Sequence, residues 1–582
     1  MLWTFWSLTK SSKLDTIEGN KIFKIYNLHK NNKYPKNPEN FLKVAVFGGS
    51  STAGNYIEFN FSNVVSQDLK EIIGSNIFVK NYGGLGESFY KEQAEILKKT
   101  IPYYDIFIIY SGNNEWVNLY NENCGIKTFN VIIESCENLE IDRKKRISLV
   151  TEELYKKKIH KFNLFKFLES KSRIYAILFK VNYYISKIFT KNIEEEKDDS
   201  FFKETGLVRP KISELNKAFS DKKIDQIPQK FESDLKKIIK NIKKEKKFLI
   251  LVGVSGNEFW PPFFSKLSKN LSNSEVNFLN AKFTSIEKNI KTKNFLQAQK
   301  ETEEILFKEP DHAYANFLMG KISIKLDKIE ASWNYLEKAI DEDGFPIRSL
   351  SKINHLLKKQ SALNDKNVSY VDFPKVIRKI TVNNPSNPAL FEDWVHPKVL
   401  SHIIIGRLSS CEIIKHIKLE TAKTKYFCDK SVEYKNLETI YGYYKKKFKI
   451  SEKNIIEARK KIYRWIILVS RISAHPEHFY KIAERNLIYQ YPNYKNGKDD
   501  TVKYLILSSF FKTAQGINCN DVKENIYKAF SISPDIFYQT LDNPFSFPEK
   551  HINIKSIFNL SGVKVKNLDP KKNSGQICNN LD

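Results

Sequence analysis

Five short apolar runs punctuate the first two thirds of the chain: 43–48 (KVAVFG), 76–80 (NIFVK), 105–110 (DIFIIY), 248–254 (FLILVGV) and 368–373 (VSYVDF). They are continuous rather than alternating, the pattern of strands covered on both faces. Stretches with helical spacing separate them, around 60–73, 87–99 and 231–245, and a further one spans about 397–416. Such alternation predicts an open parallel α/β sheet, and five strands suit the flavodoxin-like order.

Two long segments interrupt the pattern. Residues 116–230 hold a loop with Cys124 and Cys136, an aromatic, lysine-rich helical region over about 146–190, and a charged run at 194–199. Residues 279–345 show a repeat of about 34 residues, with Ala298 and Ser332, Ile305 and Ala339, and Pro310 and Gly344 each one period apart. Small residues at such positions let antiparallel helices approach closely. The period resembles that of tetratricopeptide repeats, with Ile286 in the first copy where the second has Gly320; a plain helical hairpin is the alternative. After residue 416 the strand signal ends, and 431–545 reads as amphipathic helices rich in Tyr, Ile and Lys. The resulting division is an N-terminal segment (1–40), an α/β domain in two parts (41–278, with the 116–230 insertion, and 346–416), a repeat-like helical insertion (279–345), a C-terminal helical region (417–560) and a polar, loose tail (561–582).

Length and composition agree with several structural units: 582 residues, 41% hydrophobic and 13% aromatic, enough to build substantial cores. The charge balance is 95 − 67 = +28, but only 11 of the basic residues are arginine, and lysine is spread along the whole chain. This reads as a lysine-rich bias of solvated faces rather than a nucleic-acid site. None of the six cysteines forms C-x-x-C, and no Cys/His group has metal-ligand spacing, so no metal or other cofactor is expected. Cys124 and Cys136 are either a loop disulfide or two thiols, which leaves the redox compartment open. The apolar start, Met1–Leu8, is too short for a signal core or a span, and no later run is long enough to cross a bilayer. The expectation is a soluble, cytoplasmic protein, with a periplasmic or membrane-associated location open if a targeting segment is missing.

Ligands of open α/β sheets bind beyond the carboxyl ends of the strands, and four of these ends carry chemistry. The first run ends in Gly48-Gly49-Ser50-Ser51-Thr52, where turn amides surround a serine. The second is followed by Asn81-Tyr82-Gly83-Gly84-Leu85-Gly86, whose glycines permit close backbone approach. The third is followed by Ser111-Gly112-Asn113-Asn114-Glu115, where an asparagine amide can donate to an oxyanion. After the fifth comes Asp393-Trp394-Val395-His396, in which an aspartate three residues before a histidine can orient the imidazole. Each has a plainer reading as a turn or a cap; their conjunction in this order is harder to assign to chance.

In these residues, segments 41–116 and 368–416 resemble the SGNH (GDSL-like) hydrolase family. Ser50 matches the nucleophile of its first block, Gly86 the glycine of the second, Asn113 the asparagine of the third, and Asp393 with His396 the last block. The likeness extends to a bacterial subgroup with an inserted tetratricopeptide-like segment. That subgroup has a GGSS-type first block, an Asn-Glu pair (here Asn114-Glu115) and a D-G-F-P-x-R element (here 343–348). The chain also has Ser255-Gly256-Asn257 after the fourth strand. The resemblance implies ester hydrolysis through an acyl-serine, with His396 as base and acid, Asp393 orienting it, and the Ser50 amide, Gly86 amide and Asn113 side chain as oxyanion hole. Asn114, Glu115, Asn257 and Arg348 are candidate substrate contacts; for Arg348 the alternatives are the acyl or anionic end of a substrate and a surface salt bridge. Gly49 and Asn114 stand where many GDSL enzymes have aspartate, which removes an anchor for the active-site loop.

Three functions follow. The first is a serine esterase or deacetylase acting on a small-molecule, glycan or lipid ester, with O-acyl transfer on the same scaffold as its variant. The second is an inactive scaffold that binds a protein partner through its helical repeats. The third, a polyanion-associated protein, rests on charge alone.

Overall fold

The fold was analysed in a computed structural model, which describes residues 38–54, 59–74, 76–84, 87–116, 221–267, 272–364, 366–381, 390–429, 436–470, 476–515, 519–542, 570 and 577. Gly86, Cys124, Cys136 and the helical region expected over 146–190 lie outside the described residues.

The apolar runs form one five-stranded sheet: β1 (Leu42–Gly48), β2 (Ile77–Asn81), β3 (Ile106–Tyr110), β4 (Phe248–Val252) and β5 (Val368–Val371), in the order β2-β1-β3-β4-β5. All pairings are parallel; Val44 of β1 stands opposite Val79 of β2 and Ile106 of β3. Every residue of β3 and β4 is buried, as continuous apolar strands require.

Helices numbered in chain order connect and cover the strands. A single turn, α1 (Ser50–Ala53), follows β1, and α2 (Phe61–Ile73) leads to β2. Asn60 starts α2: its Oδ1 accepts from the Ser62 amide at 3.1 Å, while Asn63 Oδ1 accepts from the Asn60 amide at 3.0 Å. A π-type turn (Phe89–Gln93) and α3 (Ala94–Thr100) lead to β3, and α4 (Gln226–Lys244) leads to β4. Four helices follow, α5 (Asn273–Lys291), α6 (Phe295–Lys308), α7 (Ala313–Lys325) and α8 (Ile329–Asp341), then α9 (Ser351–Ala362) before β5 and α10 (Phe373–Thr381) and α11 (Val399–His416) after it. The sheet lies between α2 with α11 and α3 with α4 and α9.

The 279–345 insertion is two helical hairpins. The small residues do what their spacing suggested. A Cβ on Gly320 would lie 2.6 Å from Leu336 Cγ, and Ser332 Oγ donates to the Gly320 carbonyl at 2.8 Å, so side chains of α8 rest directly on the α7 backbone.

The C-terminal region is helical throughout its described part and divides in two. In the first part, α12 (Ala422–Asp429) and α13 (Leu437–Lys447) lie against α11 and α2, where Tyr444 packs with Phe59, Val64, Val399 and Ile403. A disulfide joins Cys411 of α11 to Cys428 of α12, a pairing the sequence did not single out. In the second part, α14 (Glu452–Ser470), α15 (Pro476–Gln490), α16 (Lys498–Ala514), α17 (Cys519–Ile532) and α18 (Pro534–Asp542) share one core. Ile577 is buried in that core, so the loose tail expected over 561–582 is held at this point. Among the described residues no helix is long and apolar enough to cross a membrane.

Candidate active site

β1 ends where two elements press on its last residue. A Cβ on Gly48 would fall 2.1 Å from both Thr52 Oγ1 and the Tyr110 carbonyl, so only glycine fits while Thr52 Oγ1 donates to that carbonyl at 2.8 Å. The Gly48 amide donates to Gln93 Oε1 at 3.1 Å, and the Gly48 carbonyl accepts from the Gly84 amide at 3.0 Å. These bonds fix the tight turn that delivers Ser50 as the first residue of α1, where the first amides have no acceptor within the helix.

Ser50 Oγ lies 2.8 Å from His396 Nε2, and His396 Nδ1 lies 2.6 Å from Asp393 Oδ2. The serine and histidine are both buried, at 7% and 6% exposed, and Asp393 is fully so. Its other oxygen, Oδ1, accepts from the amides of Val395 and His396 at 2.9 and 2.8 Å. Burial works to raise the Asp393 carboxyl. The positive charge His396 can carry, its ring N–H and these two amides outweigh burial and hold the carboxyl below the usual carboxylate range. A carboxylate anchored by three groups fixes both the tilt and the tautomer of the ring. Ser51 Oγ adds a tie across the site, donating to the Val395 carbonyl at 3.1 Å.

The third strand end faces the same place. Asn113 is buried and its Oδ1 accepts from the Ser349 amide at 3.1 Å, which turns the side-chain NH2 to the opposite side. The loop after β2 closes against α1: Asn81 Nδ2 donates to the Thr52 carbonyl at 2.7 Å, its Oδ1 accepts from the Gly83 amide at 2.7 Å, and a Cβ on Gly83 would lie 2.6 Å from the Ala53 nitrogen. Gly86 itself lies outside the described residues.

The four candidate substrate contacts have other partners. Asn114 Nδ2 donates to the Glu87 carbonyl at 3.0 Å and lies over Gly49, where an added Cβ would sit 2.2 Å from it. Far from removing a loop anchor, the Gly49–Asn114 combination supplies one. The Glu115 carboxylate accepts from the amides of Phe89 and Tyr90 at 2.8 and 3.3 Å, capping the π-type turn, and burial pushes it up to about 8. Asn257 accepts from the Phe259 amide through Oδ1, while its own amide donates to the Trp394 carbonyl at 2.8 Å. Arg348 makes no surface salt bridge. It is 3% exposed, paired with Asp343 at 3.5 Å and donating to the carbonyls of Trp260 and Asn257.

Three residues beside the site carry no signal in the sequence. Glu392 is buried next to Asp393 and pairs with Arg459 at 3.3 Å and Lys398 at 4.0 Å; burial pushes its carboxyl up against the pull of both cations. Trp394, between Asp393 and His396, is fully buried against Trp260, Phe263 and Phe479. His402, one turn into α11, is buried beside Phe59 and Phe61, and burial, with a smaller contribution from His396, pulls it down to about 3, so it stays neutral.

Comparison with protein families, with curated proteins and with solved structures finds no match to the chain.

Proposed function

We propose that the protein is a serine ester hydrolase of the SGNH (GDSL-like) type. The observation that carries this reading is the unbroken contact from Ser50 Oγ through His396 to the buried Asp393. The support is chemical: a serine hydroxyl beside an imidazole whose other nitrogen is held by a carboxylate is the arrangement that activates serine.

In this reading Ser50 Oγ attacks the ester carbonyl while His396 Nε2 takes its proton. The oxyanion is met by the Ser50 amide and the Asn113 NH2, with the Gly86 amide as the third donor that the resemblance implies. His396 then gives the proton to the leaving alkoxide as the carbon–oxygen bond breaks, which leaves an acyl-serine and an alcohol. Water repeats the attack under the same base, releasing the acid and restoring Ser50. Asp393 stays ionised throughout and stabilises the imidazolium. The helical hairpins at 279–345 retain their tetratricopeptide-like reading as a partner surface within the same proposal.

The test is labelling by a fluorophosphonate together with hydrolysis of 4-nitrophenyl acetate. The wild type labels at Ser50 and turns over, and Ser50→Ala does neither, with kcat lower by about 10⁴-fold or more. A wild type that neither labels nor turns over, or a Ser50→Ala chain that labels equally, overturns the proposal.

A further inference from the structure

Arg348 sits where the helical insertion rejoins the sheet. The segment that leaves α8 is clamped to the loop after β4. Asp343 accepts from the amides of Phe263 (2.8 Å), Phe264 (3.0 Å) and Phe345 (3.1 Å), and the Gly344 amide donates to the Phe264 carbonyl at 3.0 Å. The Arg348 guanidinium completes the clamp, donating through one nitrogen to the carbonyls of Trp260 (2.6 Å) and Asn257 (3.2 Å), with the other 3.5 Å from Asp343 Oδ2. A planar fork with several donors can serve a carboxylate and two carbonyls together; a lysine ammonium on a flexible stem cannot hold all three in fixed geometry.

Two short paths lead from this guanidinium into the active site. Along the chain, the next residue is Ser349, whose amide donates to Asn113 Oδ1 and so sets the direction of the Asn113 NH2. Across the loop, the carbonyl that Arg348 holds belongs to Asn257, whose amide donates to Trp394, the residue after Asp393. The fit there is tight: a Cβ on Gly256 would lie 2.7 Å from the Trp394 carbonyl oxygen and 3.4 Å from Arg348 Cγ. One buried side chain thus stands behind both halves of the site, the oxyanion side and the acid–base side.

We propose that Arg348 is a positioning residue for the ester hydrolysis, setting the Asn113 amide and the Asp393–His396 turn relative to Ser50 without touching substrate. The inference rests on the serine-hydrolase reading. Rate depends steeply on such placement, since a displacement of about 1 Å costs on the order of 10²-fold.

The experiment compares wild type and Arg348→Lys by two measurements: the number of competent sites, titrated with a fluorophosphonate, and kcat and KM for 4-nitrophenyl acetate per titrated site. The expected result is full titration, KM within about 3-fold of wild type, and kcat per site lower by about 10–100-fold. The loss is less than additive with that of Asn113→Ala, because both act on the same donor. A merely structural arginine gives fewer titrated sites, each with normal kcat, and that result overturns the proposal, as does a kcat within about 2-fold of wild type. Should Arg348→Lys not fold, Asp343→Asn/Arg348→Met removes both charges together and leaves no buried carboxylate unpaired; the same measurements apply. Failure of both variants to fold makes the pair a folding element and overturns the proposal. A wild type that does not label overturns the hydrolase reading and this inference with it; a wild type that labels while Arg348→Lys keeps its rate overturns this inference alone.

Discussion

Gly49 shows how a single side chain decides what its neighbour is allowed to be. The Asn114 amide occupies the space a Cβ would need and is held there by the Glu87 carbonyl. Gly49→Ala is therefore expected to slow fluorophosphonate labelling of Ser50 by about 10-fold or more, and Asn114→Ala in the same chain to recover part of the loss, the rest remaining because the Glu87 carbonyl oxygen lies 2.9 Å from the new Cβ. Labelling rates of the four chains in the cycle measure the coupling; purely additive losses would show that Asn114 is not the obstacle. That Ser50, Asp393 and His396 would meet was legible from residue type and from placement after strands. The duties of Asn114, Glu115, Asn257 and Arg348 were not. Each side chain suits substrate as well as backbone, and only the fold shows which backbone groups lie within reach.

At the scale of elements, the strands were the easiest to read because burial on both faces writes itself as an uninterrupted apolar run. Their ends moved by a residue or two: the run at 248–254 becomes a strand over Phe248–Val252, after which Gly253 gives a last amide bond to Val371 and the Val254 amide turns to the Asn354 side chain. What the pattern could not show is which helix faces pair. The contact between α2 and α13 is an example, with Tyr444 of α13 donating its hydroxyl to Asp68 of α2. Burial raises Asp68 to about 7, opposed by Tyr444 and Arg407. Between about pH 4 and 7 the folded chain then keeps a proton that the unfolded chain has lost. This contribution to stability is present in full at low pH and is lost as pH rises through that window. Asp68→Asn keeps the acceptor for Tyr444 and removes the titration, so its melting temperature should fall less between pH 5 and 7 than that of wild type, about two pH units within the window. Parallel melting curves at both pH values for the two chains would refute the assignment. The Cys411–Cys428 disulfide lay equally out of sight: six cysteines without motif spacing allow many pairings, and only the turn between α11 and α12 brings these two together.

For the whole molecule, the notable relation is between the C-terminal helices and the Asp393–His396 turn. Phe479 of α15 lies 6.0 Å from the Trp394 ring and 5.0 Å from the Trp260 ring, and Arg459 of α14 reaches Glu392. The region that the sequence left without a role thus covers the back of the candidate active site. Phe479→Ala should destabilise the fold by about 3–5 kcal/mol and lower kcat on 4-nitrophenyl acetate, because the cavity opens directly behind Trp394. Thermal unfolding and steady-state rates would read both effects; lost stability with an unchanged kcat would make the C-terminal region a passive addition. Periodicity announced these helices but not their docking, which depends on aromatic shapes contributed by distant loops.

Ser50 and His396 are 346 positions apart, one at the end of the first strand and the other beyond the last. During synthesis the serine therefore leaves the ribosome well ahead of its base; at about 5–20 residues per second the interval is on the order of tens of seconds. For that time the nascent chain carries the serine without the imidazole that the proposed chemistry needs. Distance along the chain acts as a delay: the contact between Ser50 and His396 can form only after about two thirds of the sequence has been made.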